Sequence, residues 1–499
     1  MKNPAEHIST KTIIFVVGAF LALAAISVLY ATYKQEYVAA SDWYGYYEGS
    51  QLLKKGRVSM EMELDPAQYP AIAPLSYFVR DGKVLPQYPP GYPLLMAIAG
   101  IAGLEFYVAP LLGVLSVIVM FLLIKPLTER WIAGLLALAW AFAPIVVYGS
   151  TSVMSDLVAA FFIILSLYLY RKGEIMLSAF ALGFSIIVRP SDVLYGLVFL
   201  PVLIKDRQWF RYGCYFAIPA ALYGVYNWLV YGAPWNTGYY YAADFFTSSV
   251  FFPHLAFYAK ETLVQFTPFL VIPAIYALRK LDKERIFYAA WFLIFFLFYC
   301  FWVPGGDSWW WTRFLLPGYP ALFFLAALGI NDLLTWLRFR GAAHRKNIYR
   351  AVSAAVVAAG LVMIGYFIVY GLHHSDIWEK EKGKIYYNTT QMIAQHVPAD
   401  SYVGSVEFSG AQRLYTHIKS FFLDHPNAFV FIASRLEQKV PVYLAIEPWN
   451  RERPSIKMLL KLFHTREVLE LKPWPEFYLY KVKSRNFRAW RARGLISRK

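Results

Sequence analysis

Cysteine is almost missing from this sequence, which contains only Cys214 and Cys300, each inside an apolar run. A disulfide framework is therefore excluded, and the two thiols do not have the spacing of a zinc site. Charged residues are also scarce, at 16%, whereas a soluble protein carries about 25%. The hydrophobic share of 58% and the mean hydropathy of +0.42 favour an integral membrane protein instead.

The 499 residues carry a net charge of +16, which alone would suit a nucleic-acid-binding protein. The basic residues, however, stand mostly in short clusters between apolar runs, a distribution typical of membrane topology. Aromatic residues make up 19%, as expected where Trp and Tyr lie at two membrane–water interfaces. We therefore expect membrane lipid around the chain and no nucleic acid partner.

Apolar runs of about 17–25 residues, the length of one crossing, predict about eleven transmembrane helices. The first run, 12–33, is too long for a signal-peptide core, and no cleavage site clearly follows it, so we expect it to stay uncleaved. The fifth and sixth runs are short and flank Arg189 and Pro190. The runs start near Thr12, Phe106, Trp131, Asp156, Glu174, Asp192, Tyr212, Thr262, Ile286, Phe314 and Ala351.

Basic residues such as Arg171 and Lys172 fall on alternate connections between these runs. The opposite short connections, 148–155 and 232–253, contain no Lys or Arg. By the positive-inside rule this places the N-terminus in the cytoplasm and, for an odd number of crossings, the C-terminus outside. We therefore expect a multi-pass protein in the inner (plasma) membrane of a prokaryote.

Two regions on the predicted outer side are long. Residues 34–105 form a first outer loop, in which the apolar stretch 92–104 is too short to span and is expected to lie in the interface or re-enter. From residue 373 the hydropathy falls, and alternating short runs predict a small α/β domain. The β-like runs are 402–407, 442–446 and 477–482, and the helix-like runs are 386–396, 428–438 and 455–463.

The predicted fold is an α-helical polytopic membrane protein with a small C-terminal extracytoplasmic α/β domain. The boundaries are expected to be 1–372 for the membrane domain, 373–484 for the α/β domain and 485–499 for a basic tail. That tail is expected to be disordered or to lie against anionic lipid. No internal repeat is visible in the sequence.

A carboxylate opens the first outer loop, in the segment SDWYGYYE at 41–48. Asp42 follows the first predicted span and stands beside Trp43, Tyr46 and Tyr47, whose rings could stack on a sugar. A carboxylate at a membrane surface can act as a general base. Alternatively, Asp42 caps the following helix, although no Glu or Gln completes a capping box three residues later.

Five further segments lie at the same predicted membrane boundary. They are QYPPGYPLL at 87–95, YGSTSVMSD at 148–156, IVRPS at 187–191, the Tyr-, Asn- and Gly-containing stretch 226–239 and WWWTRFLLP at 309–317. Together with 41–48 and in this order, they resemble the GT-C glycosyltransferases, most of all the branch of protein O-mannosyltransferases and lipid A aminoarabinose transferases. The resemblance covers most of residues 12–335. It implies a membrane enzyme that moves a sugar from a polyprenyl-phosphate carrier to a lipid, glycan or protein acceptor.

The resemblance also implies a role for each matching charged position. Asp42 matches the acidic residue of the first outer loop that is taken to be the catalytic base. Asp156 matches a second acidic position, which helps to organise the site, sometimes with a metal ion. Arg189 and Arg313 stand where the family places cations near the carrier phosphate.

The substrate pocket is expected to be built from aromatic and polar positions of the same segments. These positions are Trp43, Tyr46, Tyr47, Tyr88, Pro90, Tyr92, Asn227 and Tyr239. One of them departs from the family pattern, because relatives often have Lys or His directly before the Pro-Pro pair, where this chain has Tyr88. Lys260, at the predicted outer end of the eighth span, is the candidate to replace that cation.

The residue types suit this chemistry without the resemblance. A polyprenyl-phosphate sugar has a phosphate monoester as its leaving group, and arginine offers it a planar donor fork that keeps its proton. A preorganised cation lowers the barrier by stabilising the charge that develops. One carboxylate behind the acceptor hydroxyl or amine is enough for displacement with inversion, whereas a hydrolase would need a pair at a set separation. A divalent ion is not required, yet Asp42 and Asp156 could share one.

Other interpretations of these residues stay open. Asp156 could cap the fourth helix, while Arg189 and Arg313 could anchor helix ends at the interface. Asn227 and Tyr239 could be structural. A transporter or a flippase for lipid-linked sugars is the alternative class of function. Many transporters, however, carry ionisable residues at mid-membrane and inverted repeats, whereas here the carboxylates lie at the predicted outer boundary.

Overall fold

The computed structural model describes residues 10–38, 41–239, 242–339, 343–381, 383–471 and 477–483. Their contacts group them into two compact units, which we call the helical unit and the mixed unit. The helical unit comprises the described parts of Met1–Lys34, Phe106–Val225 and Tyr241–Lys380, and the mixed unit those of Gln35–Glu105, Tyr226–Tyr240 and Glu381–Lys499. The domain boundaries expected at 372 and 484 stay a prediction, and the basic tail 485–499 lies outside the described residues.

The described residues are mostly helical, with two small sheets. The helices are α1 Thr10–Thr32, α2 Ser41–Lys54, α3 Gly91–Ala99, α4 Val108–Ile124, α5 Arg130–Phe142, α6 Pro144–Thr151, α7 Ser155–Arg171, α8 Ile175–Val188, α9 Val193–Lys205, α10 Trp209–Tyr231, α11 Phe251–Ala277, α12 Lys283–Cys300, α13 Tyr319–Phe339, α14 Ala343–His373, α15 Ser375–Trp378, α16 Lys384–His396, α17 Ser409–Tyr415, α18 Ala428–Glu437, α19 Pro448–Arg451 and α20 Pro454–Leu462. The strands are β1 Tyr77–Arg80, β2 Lys83–Pro86, β3 Tyr402–Ser405, β4 Lys419–Phe422, β5 Val442–Ile446, β6 His464–Leu471 and β7 Phe477–Lys483.

Four helical stretches of the described residues are long and apolar enough to cross a membrane. They are Ile13–Thr32, Glu105–Ile124, Tyr319–Arg338 and Asn347–His373. The pair α5 and α6 could add a fifth, bent by 59° where Ala143 precedes Pro144, because the residue before a proline is disfavoured in a helix. A mostly helical fold with several apolar spans is thus confirmed, whereas the expected number of about eleven crossings stays a prediction.

Helices α11 and α13 of the helical unit pack in close contact. An added Cβ at Gly329 of α13 would overlap the carbonyl oxygen of Pro273 in α11, so a residue without a side chain lets these helices approach. Helix α11 is itself interrupted at Thr267, whose φ of 58° is not helical and which precedes Pro268. The interruption separates the first part of α11, which carries several polar side chains, from the apolar second part.

A five-stranded sheet forms the core of the mixed unit, in the order β4-β3-β5-β7-β6. Strand β3 pairs in parallel with β4 and β5, while β7 is antiparallel to β5 and β6. Every residue of β3 and β5 is buried, as expected of central parallel strands that are covered on both faces. Phe431 of α18 and Ile456 of α20 pack in one core, and Ile393 of α16 packs in the other.

The sequence predicts part of this sheet correctly. Strands β3, β5 and β7 correspond to the three predicted strands, and α16, α18 and α20 correspond to the three predicted helices. Strands β4 and β6 are additions. Strand β4 has only four residues, and β6 is an edge strand in which Arg466 and Glu467 are exposed. Strand β6 therefore lacks the apolar pattern that marks a buried strand in a sequence.

The first outer loop is folded within the mixed unit. Helices α2 and α3 pack against each other, and Lys54 at the end of α2 donates a 2.6 Å hydrogen bond to the carbonyl of Gly100. The apolar stretch 92–104 forms α3 and a short 3₁₀ turn that ends at Gly103, where φ is 70°. Helix α3 has nine residues, which is too short to cross a bilayer.

Glu447, directly after β5, is a fully buried carboxylate. It accepts hydrogen bonds from the backbone N–H of Glu407 at 3.2 Å and from the side-chain amide of Asn450 at 3.0 Å. Burial, and to a lesser extent the charge of Glu407, raises the pKa of Glu447 from 4.5 to about 7. The unfolded chain loses this proton at a lower pH than the folded chain does. The contribution of protonated Glu447 to the free energy of unfolding is therefore complete below about pH 4.5, and it is lost as the pH rises to about 7.

We expect the stability advantage of wild type over Glu447→Gln to shrink as the pH rises from about 5 to about 7.5. The change over this range is about 2 kcal/mol, because each pKa unit corresponds to about 1.4 kcal/mol and part of the titration lies outside the range. Thermal melting of the full-length protein in detergent measures it, and comparison with the glutamine variant cancels the titration of all other groups. The same difference in Tm at both pH values would contradict the raised pKa.

Candidate active site

A buried ion cluster lies in the helical unit at Asp156, Arg189 and Arg313, all three of which are largely buried. The Nη1 atom of Arg189 donates to Oδ1 of Asp156. The Nε atom of Arg313 lies 4.0 Å from Oδ2 of the same carboxylate. The structure thus brings together three charged residues that are far apart in the sequence, and one carboxylate faces two guanidinium groups.

Local backbone structure places each of the three side chains. Asp156 lies in the first turn of α7, where the helix dipole favours a negative charge. Arg189 ends α8 in an extended conformation because it precedes Pro190. Arg313 lies in the 3₁₀ helix Trp309–Leu315. Asp156 and Arg189 are therefore held at helix ends, where the chain changes direction.

Aromatic rings flank both guanidinium groups. The ring of Phe314 lies 5.0 Å from the Cζ atoms of both Arg189 and Arg313. Arg313 also lies over Trp310 at 4.5 Å, and Trp310 stacks on Trp311 at 4.0 Å. Ring faces attract a cation without neutralising it, so these ring contacts leave the charge of both guanidinium groups in place.

Tyr299 is a site residue that the sequence interpretation missed. Its hydroxyl accepts a 3.2 Å hydrogen bond from Nη2 of Arg189 and donates a 2.8 Å hydrogen bond to Ser191. Its ring also stacks on Phe314 at 5.2 Å. Tyr299 lies near the end of α12, within a long apolar and aromatic run, so no local sequence signal distinguishes it from core.

His254 and Tyr258, one turn apart on α11, were also missed. Both are buried, and within the part of the chain that the structure describes Nδ1 of His254 and the hydroxyl of Tyr258 have no hydrogen-bond partner. An added Cβ at Gly305 would lie 3.1 Å from the Tyr258 hydroxyl and 3.8 Å from Trp311, and one at Gly306 would lie 2.7 Å from Nε2 of His254. The Pro-Gly-Gly sequence at 304–306 is the signal that could have revealed this close approach.

Asp192 adds a further buried carboxylate three residues after Arg189. Neither of its oxygens has a hydrogen-bond partner among the described residues. Buried polar groups without partners are uncommon in folded proteins. The helical unit thus has unpartnered buried polar atoms both in the turn after Arg189 and beside the tryptophans that flank Arg313.

Lys260 does not join the ion cluster. Its side chain is 74% exposed, and its recorded ion-pair partner among the described residues is the neighbouring Glu261, at 3.8 Å. A groove of about 690 Å³ lies at the end of α7 opposite to Asp156. Leu167, Arg171 and Lys205 are among its lining residues. This groove is therefore separate from the ion cluster.

Asp42 lies in the first turn of α2, in the mixed unit, and accepts a hydrogen bond from the hydroxyl of Tyr88. Burial, followed by the charge of Asp42, raises the pKa of Tyr88 well above its ordinary value, so this hydroxyl stays protonated and remains a donor. An added Cβ at Gly45 would overlap the Tyr88 ring. The glycine one turn after Asp42 therefore makes room for the contact.

A cluster of tyrosines surrounds this contact. Tyr46 stacks on Tyr88 at 4.5 Å and meets Tyr92 edge-on at 5.3 Å. Tyr239 meets Tyr88 edge-on, with the ring centroids 6.1 Å apart. An added Cβ at Gly238 would overlap the backbone of Gln87, which explains why a glycine precedes Tyr239. The structure thus assembles Asp42 and four predicted pocket residues in one place.

Four further residues were predicted to belong to the pocket. Pro90 is the N-cap residue of α3. Asn227 is buried and donates to the carbonyl of Pro234 at 3.2 Å, while its Oδ1 atom has no hydrogen-bond partner among the described residues. Trp43 and Tyr47 are partly exposed on α2. These four residues contribute less to the geometry around Asp42 than the tyrosines do.

The described residues contain no group of three or more His, Cys, Asp or Glu side chains that could hold a metal ion. Asp42 and Asp156 belong to different units. The Asp156 carboxylate is paired with Arg189, and Asp42 accepts from Tyr88. A divalent ion that both carboxylates share stays a prediction.

Comparison with solved structures shows that the chain has the GT-C fold, as the resemblance in its sequence predicts. ArnT from Cupriavidus metallidurans in the apo state is similar, with a TM-score of 0.60 and 14% identity over 95% of this chain and 98% of that chain. The same protein bound to undecaprenyl phosphate has a TM-score of 0.54 and 14% identity over 94% and 98%. Archaeoglobus fulgidus AglB, an oligosaccharyltransferase in complex with an inhibitory peptide and a dolichol-phosphate, has a TM-score of 0.53 and 11% identity over 92% and 74%.

No protein-family model matches the chain, and no curated protein matches its sequence. The likeness to the solved structures is therefore one of fold, at identities where the sequences have diverged widely. The chain has the architecture of the GT-C glycosyltransferases.

Proposed function

We propose that this protein is a membrane glycosyltransferase that moves a sugar from a polyprenyl-phosphate carrier to an acceptor hydroxyl or amine, with inversion. The observation that carries the proposal is the pair of buried arginines that share Asp156 and lie on aromatic rings. The fold supports it, because one similar structure holds undecaprenyl phosphate and another holds a dolichol-phosphate.

In the proposed reaction Arg189 and Arg313 hold the carrier phosphate. The acceptor oxygen or nitrogen attacks the anomeric carbon while the bond from that carbon to the phosphate oxygen breaks, and the phosphate leaves with the electron pair. Its charge rises in this step, and guanidinium groups that are already in place stabilise it without reorganisation. His254 and Tyr258 offer additional hydrogen-bonding groups beside Arg313, which would explain why they are buried without partners.

Asp42 is the proposed general base and takes the proton that the acceptor loses. The Tyr88 hydroxyl donates a hydrogen bond to one oxygen of its carboxylate, which helps to fix the carboxylate orientation. Tyr88 thus acts as a positioning residue, where relatives often carry a Lys or His. This arrangement needs one carboxylate, as expected for direct displacement.

The proposed membrane arrangement follows from the charge pattern of the sequence. We place the N-terminus in the cytoplasm of a prokaryote, about eleven crossings in the inner membrane, and the α/β domain outside. Basic residues on alternate connections support this orientation. The reaction would then occur at the outer face, where a lipid-linked sugar can enter sideways from the bilayer.

We expect Asp42→Asn to abolish sugar transfer while carrier binding and the melting temperature stay close to wild type. Asparagine fills the same volume and can still accept from Tyr88, but it cannot take up the acceptor proton. Mass spectrometry of membrane lipids and glycans, from cells with the wild type, the variant or no protein, measures transfer. Asp81→Asn is the matched control, because Asp81 is highly exposed in the same unit. Normal transfer by Asp42→Asn would rule out the proposed base.

We expect Arg313→Lys to weaken carrier binding about 10- to 100-fold, because a charge-assisted hydrogen bond is worth about 1.5–3 kcal/mol and lysine lacks the planar fork. Retention of undecaprenyl phosphate by the purified protein, measured by native mass spectrometry, tests this. Arg279→Lys is the control, since Arg279 also lies over a ring, that of Tyr276 at 3.7 Å, but outside the ion cluster. Equal retention by both variants would contradict a phosphate role for Arg313.

A further inference from the structure

In the parallel part of the sheet in the mixed unit, successive strands are added first on one side of β3 and then on the other. From β3 the chain passes through α17 to β4 on one side, and from β4 it passes through α18 to β5 on the other side of β3. The loops after β3 and β5 therefore lead away in opposite directions. In open α/β sheets a crevice forms at such a switch point, at the carboxyl ends of the strands, and ligands bind there.

Polar side chains from both loops meet at this position. Glu407 follows β3, and Glu447, Trp449 and Asn450 follow β5. The Nε1 atom of Trp449 donates to Glu407 at 3.1 Å, and the backbone N–H of Glu407 donates to Glu447 at 3.2 Å. The side-chain amide of Asn450 donates to the other oxygen of Glu447 at 3.0 Å. We call this group, together with Ser405 at the end of β3, the switch-point cluster.

The switch-point cluster contains buried polar atoms that have no hydrogen-bond partner among the described residues. Asn450 and Ser405 are fully buried, and Oδ1 of Asn450 and Oγ of Ser405 have no hydrogen-bond partner in the described part of the chain. Asn450 is tied through its amide nitrogen to Glu447, so its free oxygen belongs to the same group of atoms. A buried acceptor without a donor is costly, and a ligand with several hydroxyl groups would supply donors to it.

Trp449 provides a different kind of surface beside these acceptors. Its ring is 41% exposed, although its indole nitrogen is held by Glu407. An exposed aromatic ring next to carboxylates is suited to a molecule with hydroxyl groups at its edge and an apolar C–H face. Saccharides have this combination, and a tryptophan can pack on that face while its polar end stays hydrogen-bonded.

The switch-point cluster is also connected to the proposed base within the same unit. The loop that carries Glu407 continues directly into α17, where Gly410 packs on the Tyr44 ring so closely that an added Cβ would overlap it. Tyr44 belongs to α2, the helix whose first turn carries Asp42. The loop after β3 and the proposed base thus stand on elements in direct contact.

We propose that the switch-point cluster binds a saccharide, the glycan part of the acceptor, through Glu407, Asn450 and Trp449. This inference rests on the proposed function only where it identifies the saccharide as part of the acceptor. Saccharide binding itself needs neither the lipid carrier nor catalysis. The acceptor of this enzyme is then a glycan or a glycolipid rather than an unglycosylated protein.

The test uses the full-length protein, fluorescently labelled and purified in a detergent without a sugar headgroup, on an array of bacterial cell-envelope oligosaccharides. We expect wild type to be retained on at least one group of these glycans, and Glu407→Gln and Trp449→Ala to lower that retention at least about tenfold, or about 1.4 kcal/mol. Glu467→Gln, an exposed carboxylate on β6, removes the same charge from the same sheet and should bind like wild type.

The outcomes separate this inference from the proposed function. Asp42→Asn should be retained like wild type, since it removes the base and leaves the switch-point cluster intact. No retention of wild type on any oligosaccharide, or equal retention of wild type, Glu407→Gln and Trp449→Ala, would overturn the inference even if sugar transfer occurs. Melting temperatures of the variants near that of wild type confirm that lost retention is not lost folding, and Trp449→Phe should keep part of the retention by keeping a ring.

Discussion

Burial of two guanidinium groups beside a single aspartate is the condition on which the chemistry of the helical unit depends. Taking a charge out of water costs several kcal/mol, and a carboxylate compensates only when its geometry is good. Asp156 gives Arg189 a direct ion pair and stands 4.0 Å from Arg313. The ring faces of Trp310 and Phe314 also lie beside the guanidinium group of Arg313.

The mixed unit also positions a charged group with aromatic side chains, but there the charged group is a carboxylate. Asp42 accepts a hydrogen bond from the Tyr88 hydroxyl, which orients its carboxylate. In both units the charged groups are positioned by aromatic side chains, which explains why so many tyrosines and tryptophans surround them.

Much of this could be predicted from the sequence, where local rules decide the structure. Proline chemistry predicts the break at Arg189 and Pro190. Apolar runs predict the buried strands β3 and β5, and the position of Asp42 after the first span predicts a carboxylate in the first turn of the outer loop. The partners of these residues could not be predicted. Tyr299, His254 and Tyr258 lie in aromatic runs that read as core, and their roles arise only when α11, α12 and the 3₁₀ helix 309–315 come together. Strand β6 was not predicted for a related reason, since an edge strand needs no apolar pattern.

The central claim, that Arg189 and Arg313 bind the carrier phosphate, is tested most directly by a cryo-EM structure of the full-length protein with undecaprenyl phosphate in a lipid nanodisc. The account predicts phosphate density within hydrogen-bond distance of at least Arg313, with the guanidinium still on the Trp310 ring and Arg189 still on Asp156. Phosphate density away from both arginines, with their mutual arrangement unchanged, would contradict it.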